Sequence, residues 1–284
     1  MNYTAYTDES YTTGERYRSI CSFSFATEAI EHINNNLLKI RKESDVKEFK
    51  WQKVKGAKYR FCADKLVYFI VNSLYKYDIR IDVMIWDTYD SRHSIQGRND
   101  NANFERMFFH LLSDSMRRRG QKSKWSIYPD KQMGIDWKTV RDCLKSVGRR
   151  KKFINSPLFG DFFTDPYYDI ENFEEIDSQF SPCCDVADFF AGISVFSKNS
   201  YDKYSQWKEN QLPNLFKQES LALSNREKFR FKVMDYLNAQ CKNGKLGVSL
   251  KTGRCFSTPN PNNPINFWHY KPQNEMDKAP IKNG

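Results

Sequence analysis

Residues 2–28 read NYTAYTDESYTTGERYRSICSFSFATE, and the reading of this stretch decides the fold. Asn2–Thr7 alternates loosely and reads as a strand. The segment TTGE (12–15) supplies turn residues, with Gly14 free to take positive φ. YRSICSFSFA (17–26) then alternates more strictly, with Ile20, Ser22 and Ser24 on one side and Cys21, Phe23 and Phe25 on the other. Two such strands around one turn make a hairpin. The first carries adjacent carboxylates, Asp8 and Glu9, at its end. Acids there fit a turn, and equally a rigid strand presenting Asp8 to a metal ion.

Downstream, helical and strand patterns alternate. Ile30, Ile33, Leu37 and Leu38 recur at helical spacing in 26–43, with Thr27 as N-cap. SDVKEFKWQKV (44–54) reads as a short strand or a loop. A long helix follows over 57–77, then the strand IRIDVMIWD (79–87), a polar loop (87–103) and a helix over 104–119. KWSIYPD (124–130) is a short strand, DWKTVRDCLKSVGRRKK (136–152) an amphipathic helix, and Phe173–Asp177 an edge strand. SPCCDVADFFAG (181–192) opens a strongly apolar helix, with Ser181 as N-cap and Pro182 at the first helical position. A helix near Arg226–Cys241 and a loop-rich tail held by Phe267, Trp268 and Tyr270 complete the chain. The order predicts an α/β fold with a mixed sheet, an N-terminal β-hairpin and helical crossovers.

Composition narrows the function classes. The chain has 284 residues, 45 Lys+Arg against 35 Asp+Glu, and a formal net charge of +10. That balance favours a polyanionic partner. No apolar run reaches the roughly 18 residues of a membrane span. Seven cysteines without a CxxC pair argue against a zinc ribbon. They read as reduced thiols in a cytoplasmic protein. No GxGxxG or Walker A motif is present. His32, His93, His110 and His269 are scattered, which disfavours a histidine-centred mechanism.

Carboxylates fall at strand ends: Asp8 with Glu9, Asp87, and Asp130. Asp185 and Asp188 share one face of the late apolar helix. Burying acids beside Val186, Phe189, Phe190 and Ile193 is costly unless something compensates. For Asp185, in the first turn, the helix dipole offers one compensation; a divalent cation is the other. Asp and Glu oxygens are what Mg²⁺ and Mn²⁺ prefer. Several converging acids can hold two metals for phosphodiester hydrolysis.

The segments YTDES (6–10), EFKW (48–51), EIDS (175–178) and DVADFFAG (185–192) together resemble the domain-of-unknown-function family 3800, over roughly Asn2–Gly192. The resemblance implies an RNase H-like core, expected over residues 1–200; the residues that follow depart from that pattern and are expected to form a helical and loop-rich C-terminal extension, 201–284, packed on the core. The resemblance also implies metal-dependent nuclease activity; some members are linked to mobile elements or phage defence. By position, Asp8 matches the leading aspartate and Asp188 the late helical one, with Asp185 a partner one turn earlier. Asp130 or Asp87 supplies the middle acid, with Asp130 the more family-like. Glu9 and Glu48 are further candidates, and Lys50 would lie near the substrate phosphate. The expected ligands of Mg²⁺ or Mn²⁺ are thus Asp8, Asp130, Asp185 and Asp188.

The expected partner is nucleic acid, DNA or RNA. Backbone contacts are assigned to Arg117, Arg118, Arg119, Lys122 and Lys124, and to Arg149, Arg150, Lys151 and Lys152. A homo-oligomer or protein partner would use the C-terminal extension. Two other readings stay open. EFK is an E-x-K triplet, as in PD-(D/E)xK endonucleases, with Glu48 and Lys50 on a strand and Asp8 or Asp45 completing the site. The third reading is a catalytically degenerate module that binds nucleic acid or protein.

Overall fold

The computed structural model describes residues 1–10, 16–90, 99–120, 122–131, 134–148, 153–156, 160–163, 168–211 and 222–271. Strand β1 (Asn2–Ser10) pairs antiparallel with β2 (Tyr17–Ala26), in a register that sets Asp8 opposite Cys21. Strand β3 (Arg80–Asp87) continues the antiparallel meander on β2. On its other edge β1 takes β4 (Ser123–Pro129) in parallel, and β4 takes β7 (Tyr168–Phe173) in parallel. Beyond β3 lies β8 (Ile265–His269), also parallel to its neighbour. The six-stranded order is β7-β4-β1-β2-β3-β8, a mixed α/β sheet with an RNase H-like core. Strands β5 (Phe153–Ser156) and β6 (Gly160–Phe163) form a separate antiparallel pair.

Both sheet faces are covered, so the central strands are apolar almost throughout. One face packs α1 (Ile30–Glu43), α2 (Ala57–Ser73), α5 (Pro182–Glu209) and α6 (Asn225–Asn243), through Ile33, Leu66, Phe189 and Phe231 among others. The other packs α3 (Asp100–Arg118) and α4 (Trp137–Gly148), through Phe108, Leu111, Val140 and Leu144. The alternation read in 17–26 is kept: Cys21, Phe23 and Phe25 face the first core, and Ile20 the second.

Several local expectations are corrected. Thr27 does not cap α1. It opens a single 3-10 turn, its hydroxyl sits 3.0 Å from that of Thr4, and Ala29 precedes the helix. Ser181 stands at the cap position of α5, with Pro182 first in the helix, but its side chain makes no capping bond; its carbonyl accepts from the Cys184 amide. Residues 48–50 are a loop, and Trp51–Lys53 a single 3-10 turn. The edge strand ends at Phe173 rather than beginning there, because β4 offers its ladder to Tyr168–Phe173. The tail expected to be loop-rich contributes β8, whose residues 81–85 partners lie on β3. All seven cysteines are free thiols. Among the described residues, no helix is long and apolar enough to cross a membrane.

Candidate active site

Parallel pairing of β1 with β4 brings two acids to the same end of the sheet, at the carboxyl ends of both strands. Thr7 is in register with Pro129, and the Asp130 amide donates to the Thr7 carbonyl at 2.9 Å. Asp130 therefore follows β4 immediately beside Asp8. Crevices at the carboxyl ends of parallel strands are where open α/β sheets bind ligands. Asp8 shares the face of Tyr6, which packs toward α5. From that helix Asp188 meets it. A pocket of about 510 Å³ is lined by Asp8, Glu9, Asp130 and Asp188, together with Ser10, Lys50, Gln52 and Lys53.

Lys50 stands among the acids. Its Nζ lies 3.5 Å from Asp8 Oδ2, 3.5 Å from Glu48 Oε1 and 3.6 Å from Asp130 Oδ2. Burial alone would lower its pKa, but Asp8, Asp188, Asp130 and Glu48 hold it above its ordinary value. Lys53 reaches Glu48 at 3.8 Å from the rim. Ser178 ties the group together: its hydroxyl donates to Glu48 Oε1 at 3.1 Å, receives Lys50 Nζ at 3.1 Å, and its amide donates to Asp130 Oδ1 at 3.1 Å. The Trp51 amide donates to Asp188 Oδ2 at 2.5 Å.

This close approach depends on Gly192. It lies one turn after Asp188 on the same helix face, and a Cβ there would overlap the Trp51 side chain. The small residue in DVADFFAG thus lets the 48–53 loop dock on α5.

Burial is the main force on the carboxylates. It raises Asp8 well above the usual range, with Asp188 and Glu9 adding repulsion. Burial raises Asp188 to about 7 against the opposing pull of Lys50 and the Trp51 amide. Glu9 rises to about 7 through burial and Asp130. Asp8 is only 4% exposed, and its Oδ2 has no hydrogen-bond partner. A buried carboxylate oxygen that makes no hydrogen bond and draws in the Lys50 ammonium at 3.5 Å suits a cation, and the all-oxygen set of acids around it suits Mg²⁺ or Mn²⁺. Among the described residues, no three acids, histidines or cysteines are drawn in to metal-ligating spacing; the Lys50 ammonium stands between them.

Other expected residues go elsewhere. The Asp185 carboxylate is not available as a ligand: Arg41 grips it through two bonds of 2.6 Å, while the same guanidinium donates to the carbonyls of Ser178, Gln179 and Ser181. Asp185 therefore anchors the loop that carries Ser178. Asp87 ends β3, two strands from β1, where Arg16 binds it at 2.6 Å. The middle acid in the pocket is Asp130. Asp45 pairs with Lys58 on the surface. Lys50 lines the pocket with Glu48 3.5 Å behind it, but both come from a loop and not from the strand that the E-x-K reading requires.

The Arg117–Lys124 segment lies at the opposite end of the sheet. Lys124 is in register with Asn2, about 20 Å along the strands from Asp8. There Arg119 binds Asp78 and the Ser24 carbonyl, Arg118 faces Asp114 at 3.9 Å, and Lys124 pairs with Glu171 at 2.6 Å. Lys122 and Arg117 belong to the same remote segment. Arg149, Arg150, Lys151 and Lys152 lie outside the described residues. Residues not foreseen are Ser10, Gln52 and Lys53, which line the pocket, and Ser178, which bonds to Glu48, Lys50 and Asp130. Ser178 closes the EIDS motif, so the segment that carries it was legible in the sequence while its role was not.

No family model matches the chain. It is 37% identical over 286 residues to the uncharacterized protein ORF2′ of Methanothermobacter thermautotrophicus, covering 98% of this chain and 97% of the relative. The uncharacterized protein ORF2 of the same organism is 37% identical over 284 residues, covering 97% and 96%. Among solved structures, a chain of the PCNA:RNase HII complex from Archaeoglobus fulgidus aligns with 84% of this chain and 92% of its own length. Its TM-score is 0.36 at 11% identity, a similarity too slight to bear on function. The near full-length matches decide membership: this chain belongs to the family of ORF2 and ORF2′ of Methanothermobacter thermautotrophicus.

Proposed function

We propose that the protein is a divalent-metal-dependent nuclease that hydrolyses phosphodiester bonds at the Asp8–Asp130–Asp188 pocket. One observation carries this reading: Asp8 Oδ2, buried in the central strand without a hydrogen bond and 3.5 Å from the Lys50 ammonium, opens on a pocket that Glu9, Asp130 and Asp188 also line. Asp8, Asp130 and Asp188 would hold Mg²⁺ or Mn²⁺, with Glu9 and Glu48 beside them. A bound divalent ion supplies water activation and charge neutralisation at the leaving oxygen. The chain's own groups do the positioning. The Trp51 amide fixes Asp188, and Ser178 orients both Glu48 and Asp130. Lys50 offsets the mutual repulsion of the acids, and with Lys53 presents ammonium groups to a phosphate entering the pocket.

The test is a cleavage assay on single- and double-stranded DNA and RNA with Mg²⁺ or Mn²⁺. Wild-type protein cleaves at least one substrate only with metal present. Asp8→Asn and Asp188→Asn each lower the rate on the order of a hundredfold or more, the scale of losing several kcal/mol of metal-derived stabilisation. Metal-dependent cleavage that survives both substitutions would exclude this site. Nucleic-acid binding with no cleavage under any metal would favour the degenerate binding module instead.

A further inference from the structure

A second cavity, of about 400 Å³, adjoins the acid pocket and shares Ser10 and Gln52 with it. Its walls come from the middle of α5, the loop after Lys50, and the first turn of α6. Its lining is polar and mixed: Asn199 and Ser200 from α5, Arg226 and Arg230 from α6. Among the described residues, the one acid on the wall, Glu227, is already engaged, closing the α6 capping box with Ser224 and pairing with Lys203 at 2.9 Å. Arg230 is buried, donates to the Trp51 carbonyl at 2.8 Å, and lies over the Trp51 and Phe196 rings at 4.8 and 5.1 Å. That stack fixes a positive group in the wall and occupies the Trp51 ring, so the cavity does not offer Trp51 for base stacking. Arg226 is exposed at the rim.

We propose that this cavity is a subsite for one sugar–phosphate unit of a nucleic-acid strand, displaced from the bond that is cut. The proposal rests on the nuclease reading of the neighbouring pocket. Three features support it. The two cavities share Ser10 and Gln52 as lining residues. Guanidinium groups match phosphate oxygens. Amide and hydroxyl side chains suit sugar oxygens without selecting a base. Asp188 and Asn199 lie about 16 Å apart along α5, a reach of a few nucleotides at the axial rise of a nucleic-acid strand. The volume admits one nucleotide unit and no duplex, so the strand in this cavity is single.

The test is fluorescence anisotropy with a fluorescein-labelled single-stranded oligonucleotide in Ca²⁺, using full-length protein. Arg226→Glu puts an acid in the first turn of α6, where the dipole favours it, so folding is retained. This variant binds several-fold more weakly, and the slope of log K against log salt falls by about one. Asn199→Ala weakens binding without changing the slope. Lys76→Glu, an exposed charge change at the far end of the sheet, leaves both unchanged. Mg²⁺-induced thermal stabilisation stays at the wild-type value in Arg226→Glu, which separates the subsite from the metal site.

Wild-type affinity and slope in Arg226→Glu and Asn199→Ala, with cleavage by wild type intact, would remove the subsite and leave the nuclease reading standing. Equal weakening in Lys76→Glu would reduce the effect to net charge and overturn the proposal. Absence of metal-dependent cleavage by wild type would overturn the nuclease reading itself.

Discussion

Asp188 is 8% exposed and Asp8 4%, yet both face a pocket in which, among the described residues, the opposing cations are Lys50 and Lys53. In an unfolded chain such carboxyls ionise near pH 4. Folding raises Asp188 and Glu9 to about 7, and Asp8 well above its usual value, chiefly by burial. Between those limits the folded, metal-free protein holds more protons than the unfolded chain. Its stability therefore falls as pH rises from about 4 toward about 7. A divalent cation requires the ionised carboxylates, so its stabilising effect grows over the same range. The upward shift in Tm on adding Mg²⁺ is expected to be larger at about pH 8 than at about pH 6, and Asp188→Asn flattens the difference. Equal shifts at both pH values in wild type would show that these acids do not hold the ion. Asp185 is the contrasting residue. It shares helix and chemistry with Asp188, but a guanidinium satisfies both its oxygens, so it holds a loop in place.

Among elements, α5 does most to assemble the site. It crosses β1, β2 and β3, and the Ser19 hydroxyl donates to its Ala191 carbonyl at 2.7 Å, fixing the helix against the sheet. Gly192 then admits Trp51, whose amide reaches Asp188. Gly192→Ala inserts a methyl group where the indole sits. Overpacking of this kind costs about 1–3 kcal/mol. Helix propensity returns less than about 1 kcal/mol of it. Chemical denaturation should record a net loss, and the metal-induced Tm shift should shrink as the 48–53 loop moves away from α5. A variant as stable as wild type would mean that Trp51 repacks without strain.

At the scale of the whole molecule, residues 222–271 contribute to the core and to the sheet. Strand β8 closes the sheet on β3: Ile81 donates to the Pro264 carbonyl and Tyr270 to the Ile85 carbonyl, each at 2.8 Å. Asn266 also donates to the buried Asp82, at 2.9 Å, completing a network in which Arg80 and Ser115 bind the same carboxylate. Phe231, Leu237 and Phe267 belong to the same core cluster as Phe23 and Phe189. Residues 1–211 alone would expose that apolar surface and leave Asp82 short of a partner, a burial cost of about 1–3 kcal/mol for the lost bond alone. This fragment is expected to lose cooperative unfolding and near-UV circular dichroism. A soluble fragment with a cooperative transition would establish an independent N-terminal domain.

The chain itself determined the elements that depend on local pattern. The period-2 alternation of 17–26 specified the hairpin and its core face, and the apolar run with Pro182 at its head specified α5, because both signals are carried by residues close in sequence. The motifs YTDES, EFKW, EIDS and DVADFFAG also pointed to chain segments that meet. Pairing decided the rest. Parallel registry of β1 with β4 put Asp130, and not Asp87, next to Asp8; a partner on α1 withdrew Asp185; and the last strand found its place only against β3. Those choices rest on contacts between residues a hundred or more positions apart, where neither propensity nor periodicity carries information about which carboxylate gains a cation and which one gains an arginine.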